Sequence, residues 1–174
     1  MISVVIGDLS VQELEGVVCP IRSDLAPLTV GARDVLRAAG QEVEERLQQM
    51  GMLPVGGGFI TPAGLLPCSF LIHVVTASDD EPESTQSVQR ALRNGLRRAV
   101  EWELTSLALP PLGVGVGHLD MEDSARVMVE ILVNHLDEGH PPLELAIVVG
   151  GEYEADVFRR LVDELTRERF PMRN

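Results

Sequence analysis

Short, nearly continuous apolar runs alternate along this chain with longer stretches of helical periodicity, and that alternation admits few architectures. Runs at 2–6, 17–21, 59–61, 70–75, 106–109 and 143–149 are rich in Val, Ile and Leu and bounded by Gly, Pro or Asp, so they are expected to be strands. Several lack polar alternation, which suits strands covered on both faces. Four amphipathic patterns lie between them. Val35, Leu36, Ala39, Val43, Leu47 and Met50 form one stripe over 30–50, ended by Gly51. Val88, Leu92, Leu96 and Ala99 form a second over 85–102. Ala125, Met128, Val129 and Leu132 mark a third over 121–136 behind an Asp120 cap, and Val157, Phe158, Leu161, Val162 and Leu165 a fourth over 155–169. A shorter helical turn is expected around 11–14. Six strands interleaved with four or five helices predict an α/β fold, a three-layer α/β/α sandwich around a mixed, mostly parallel six-stranded central sheet. No internal repeat is evident, and 1–174 reads as a single domain.

In such a sheet, ligands sit beyond the carboxyl ends of the strands. Three loops leave strand ends there: Gly7-Asp8-Leu9-Ser10, Cys19-Pro20-Ile21-Arg22, and the loop Gly113-Val114-Gly115-Val116-Gly117-His118 that runs on to Asp120. Glycine at alternate positions lets a ligand reach main-chain N–H groups that no side chain shields, and the following helix start favours an oxyanion. The same loop also fits a tight strand-to-helix turn that binds nothing.

Charge sharpens this reading. The net charge is −13, which argues against nucleic acid or an anionic membrane as a partner. Aromatic residues make up only 3%, too few for a surface built on base stacking. All 14 basic residues are arginine, so no lysine is present to act as a phosphate-loop cation, Schiff base or general base. Any phosphate must then be held largely by backbone amides. Cys19 and Cys68 show no metal-type spacing and no disulfide framework, no pair of histidines is spaced for a metal, and no cofactor is implied. The N-terminal run turns polar too soon for a signal peptide, and no run approaches the ~18 apolar residues of a membrane span, so a cytoplasmic protein is expected.

Four blocks, in order along residues 2–165, resemble the macro domain family, the ADP-ribose-binding α/β/α module. Gly7-Asp8-Leu9-Ser10 is similar to the family's Gly-Asp-Ile-Thr. Ala38-Ala39-Gly40 falls where its first long helix carries Ala-Ala-Gly. Residues 59–67 followed by Phe70-Leu71-Ile72-His73-Val74-Val75 resemble its Ile-Thr-x-Gly-x-x-Leu-Pro and Val-Ile-His-x-Val block, and 109–117 resembles its phosphate loop. The resemblance implies that Asp8 accepts a hydrogen bond from the adenine amine with the Leu9 N–H beside it, that the backbone of 113–117 cradles a diphosphate, and that His118 borders it. The alternative for Asp8 is capping of the short helix behind it.

The same resemblance implies a divergent member. Family members that hydrolyse ADP-ribose derivatives carry Val-Asn-Ala-Ala-Asn where this chain has Val18-Cys19-Pro20-Ile21-Arg22, and Gly-Gly-Gly-Val near Leu28-Thr29-Val30-Gly31. Both asparagines are absent. An adenine-stacking aromatic after the last strand is missing from Val149-Gly150-Gly151, with Tyr153 the nearest substitute.

Three functions therefore stand open. The first is a binding module for ADP-ribose or a related nucleoside diphosphate without efficient hydrolysis. The second is a hydrolase of ADP-ribosyl groups or ADP-ribose 1″-phosphate, in which Cys19, Arg22 or His118 replaces the usual machinery; a Cys19–His118 pair would supply nucleophile and base. The third is an interaction or oligomer-forming domain with a closed pocket. Arg22, leaving a strand end, suits a phosphate or ribose in place of the lost asparagine, or a carboxylate with which it plugs the pocket. His73 reads as a core histidine, 79–84 as a solvated connector, and Arg90, Arg93, Arg97 and Arg98 as a solvated face paired with nearby acids.

Overall fold

The computed structural model describes residues 1–114 and 119–169. The six strands are β1 (Ile2–Ile6), β2 (Gly16–Arg22), β3 (Gly58–Pro62), β4 (Phe70–Ala77), β5 (Ser106–Leu109) and β6 (Glu144–Val149). The helices are α1 (Val30–Ala39), α2 (Gln41–Met50), α3 (Thr85–Glu101), α4 (Met121–Glu138) and α5 (Glu152–Arg169). The strands form one sheet in the order β1-β6-β5-β2-β4-β3. All neighbours are parallel except the edge strand β3, which runs antiparallel to β4 with Phe59 opposite His73.

Alternation along the strands divides the interior into two layers, because successive side chains point to opposite faces. Val18 on β2, Ile72 and Val74 on β4, Leu107 and Leu109 on β5, and Leu145 and Ile147 on β6 face α3, α4 and α5. Val17, Cys19 and Ile21, with Leu71 and Val75, face α1 and α2. No helix among the described residues is long and apolar enough to cross a membrane.

Two helical expectations change. The pattern over 30–50 is two helices, because Gly40 at φ +96 breaks the rod. The apolar stripe continues through the break since both helices lie on the same face of the sheet, so periodicity alone gave no warning. The freed Ala39 carbonyl instead accepts the Leu65 N–H at 3.0 Å. The short turn is a 3-10 turn at Leu9–Val11 rather than 11–14, because Asp8 caps it directly after β1.

The acidic segment 79–84 is solvated at Asp79, Asp80 and Pro82, as expected, but it also makes specific contacts. Asp79 pairs with Arg22 and Glu81 with Arg90. Glu83 is buried, its Oε2 accepting the Thr76 hydroxyl at 3.2 Å while Oε1 has no partner among the described residues. The arginine face of α3 is likewise only partly paired: Arg98 meets Glu101, whereas Arg93 and Arg97 have no carboxylate partner among the described residues.

Candidate functional site

Because β1, β6, β5, β2 and β4 are parallel, their carboxyl ends share one edge of the sheet, and the loops that leave them gather there. At the β1 exit, the Gly7 N–H donates to the Val149 carbonyl at 3.0 Å, which fixes the start of the loop against the end of β6. Asp8 follows, exposed. Its Oδ1 accepts both the Ser10 N–H and the Ser10 hydroxyl, each at 2.8 Å. The Ser10 backbone donor, then its hydroxyl, hold the Asp8 carboxyl below the usual carboxylate range, so the group is ionised at neutral pH. Capping therefore occupies one oxygen. Both described hydrogen bonds fall on Oδ1, so the cap and a second acceptor role at Oδ2 are compatible. Leu9 is buried behind it.

The loop after β5 is held from beneath by α4. The Leu112 N–H donates to the Met128 Sδ at 3.2 Å, and the buried Ser124 hydroxyl donates to the Leu112 carbonyl at 2.6 Å. Gly113, at φ +85, offers its carbonyl to the Leu119 N–H at 3.2 Å. A side chain at Gly113 would meet Leu119 and Val88, so the backbone approaches closely there. Val114 is half-buried. Gly115, Val116, Gly117 and His118 lie outside the described residues. The start of α4 is less suited to an anion than its sequence suggests. Asp120 caps the Asp123 N–H at 2.8 Å, and Glu122 and Asp123 occupy the first turn, which offsets the positive helix end. The start of α1 differs: Thr29 caps it, no acid lies in its first turn, and Val30 and Gly31 are exposed.

Cys19 does not belong to this edge as a nucleophile. It is wholly buried against α1 with its thiol 3.8 Å from the Ala32 carbonyl, and burial pushes the thiol up to about 12. A thiol that stays protonated and sealed from solvent attacks nothing, so the Cys19–His118 pair is withdrawn. Arg22 does reach the edge, and it meets carboxylates there. It pairs with Asp79 and lies 3.8 Å from Asp24, beside a hollow of about 480 Å³ that Ser23, Leu53 and Ser78 also line. Sequence reasoning missed Ser124 and Met128. The available signal was a serine on the apolar stripe of α4, one turn before Met128.

A family model described as the macro domain matches residues 31–128. The chain belongs to the macro domain family. An uncharacterized protein from Aeropyrum pernix is 33% identical over 181 residues, which cover 91% of this chain and 94% of the relative. A Klebsiella pneumoniae protein named O-acetyl-ADP-ribose deacetylase is 31% identical over 168 residues, 91% of this chain and 94% of its own. Among solved structures, the Oceanobacillus iheyensis macrodomain with ADP matches with a TM-score of 0.82 at 21% identity, covering 95% of this chain and 91% of that one. The Trypanosoma brucei macrodomain in complex with ADP matches at 0.81 and 17% identity, covering 92% and 68%. At those identities the likeness to the two structures is one of fold.

Proposed function

We propose that the protein binds ADP-ribose or a related nucleoside diphosphate across the carboxyl edge of its sheet, without efficient hydrolysis. Asp8 and Leu9 take the adenine, and the backbone of Gly113, Val114, Gly115, Val116 and Gly117 takes the diphosphate, with His118 at its border. The observation that carries this reading is the Asp8 carboxylate: exposed, ionised, and held at one oxygen by Ser10 at a strand end. An adenine amine is a donor of matching reach. The acid-free, exposed start of α1 favours an anion there. The two relatives of known structure above, each holding ADP, favour the same ligand class.

Isothermal titration with ADP-ribose should show saturable binding. Asp8→Asn, which keeps an acceptor for the Ser10 cap but loses the charge, should weaken it about 10- to 100-fold, the range expected for one hydrogen bond to a charged group. No heat and no thermal stabilisation from any adenine nucleotide would sink the proposal.

The name of the Klebsiella relative favours a second reading, hydrolysis of an ADP-ribose ester. Neither family asparagine is present to orient water, and Cys19 is sealed, which leaves Arg22 and His118 as candidates. If O-acetyl-ADP-ribose is turned over, Cys19→Ala should retain the rate while Arg22→Gln or His118→Ala loses it. Turnover that depends on Cys19 contradicts the burial described here.

A further inference from the structure

The structure points to Ser124 and Met128 as positioning residues for the diphosphate. We infer that they hold the first amides of the binding loop, Gly113 and Val114, in register with the ligand; this rests on the nucleotide-binding reading above. Leu112 is gripped at both of its backbone polar groups by side chains one turn apart on α4, its carbonyl by the Ser124 hydroxyl at 2.6 Å and its N–H by the Met128 thioether at 3.2 Å. Ser124, Met128 and Leu112 are all fully buried, so neither hydrogen bond is exchanged with water. Immediately beyond, Gly113 bonds Leu119, and Asp120 caps the same helix. Both ends of the loop are therefore referenced to α4, and Leu112 is the hinge point on the strand side. A tilt of the Leu112 peptide swings the next two N–H groups directly.

Neither side chain touches the proposed ligand. Their effect should appear only on ligands that carry phosphate, since the Asp8 loop is anchored separately, Gly7 by Val149 and Asp8 by Ser10. That separation distinguishes positioning from general support.

The test compares ADP with adenosine on wild type, Ser124→Ala, Ser124→Cys and Met128→Leu, at a temperature where circular dichroism shows each variant folded. Ser124→Ala and Met128→Leu should each weaken ADP about tenfold and leave adenosine unchanged. Ser124→Cys, nearly the same size with a weaker donor, should fall between. Equal losses for ADP and adenosine would show a merely structural role and overturn the inference, as would unchanged ADP affinity in Ser124→Ala. If wild type binds adenosine but not ADP, the inference fails while the adenine contact stands. If wild type binds neither, the nucleotide reading itself fails and takes this inference with it.

Discussion

Gly64→Ala is expected to destabilise the protein by about 3 kcal/mol or more, beyond the usual range for a surface loop. Gly64 sits at φ +61, where an L side chain costs roughly 1–2 kcal/mol. An added Cβ would also lie 2.2 Å from the Ala39 carbonyl oxygen and 3.2 Å from its carbon. Those are backbone atoms at the break between α1 and α2, and they cannot rotate away. Relief requires moving the hairpin arm off the helix, which loses the Leu65–Ala39 hydrogen bond and loosens Ala63 and Leu66 in the interior. Gly139→Ala supplies the control. It lies in the left-handed region at φ +73 and ψ +14 with nothing within 4 Å, so it bears the conformational cost alone. Urea unfolding should place the midpoint of Gly64→Ala well below that of Gly139→Ala. Equal midpoints would show that the close approach is absent.

The second large effect is acid lability centred on His73. Its ring is fully buried, stacked 4.7 Å from Phe59 at 22°, and it shares a 2.9 Å hydrogen bond with Thr61 through Nε2. Nδ1 has no partner. Burial lowers its pKa to about 3. The unfolded chain therefore binds this proton first as pH falls below about 6.5, while the folded chain refuses it until about 3. Stability should be full above that window and fall by up to about 1.4 kcal/mol for each pH unit through it. His135 is lowered as well, by desolvation, and adds to the slope in the same direction. Measuring urea midpoints between pH 7.5 and 5 keeps most carboxylates ionised, since they titrate near about 4. His73→Gln, which can still bond Thr61, should flatten the profile. A wild-type midpoint that does not change over that interval would refute the assignment.

Strand positions were legible because both faces of the sheet are covered: continuous apolar runs such as 70–75 have no other cheap fate. Helix ends were less so. The stripe from Val35 to Met50 keeps its phase across Gly40, and a glycine inside a helical pattern does not by itself announce a break. The site divides in the same way. Asp8 at a strand end could be read locally, because its cap depends on a residue two positions away. The Arg22–Asp79 pair, the sealing of Cys19 beneath Ala32, and the grip of Ser124 on Leu112 depend on which elements meet in space, and no spacing encodes that. Ser124 did leave a trace, a hydroxyl on an otherwise apolar helix face. His73 was read as a core histidine with a hydrogen bond, and the antiparallel register of β3 on β4 supplies the partner, Thr61.

The short length of β5 has a wider consequence. It is joined to β2 only through Gly16 opposite Leu107 and Val17 opposite Ala108, whereas β2 pairs with β4 along its full length. The sheet is thus two ribbons of three strands sewn by a pair of stitches at one end and unpaired at the other. The unsewn end is the carboxyl edge where the candidate site lies, so backbone there can shift between the two ribbons without breaking a ladder bond.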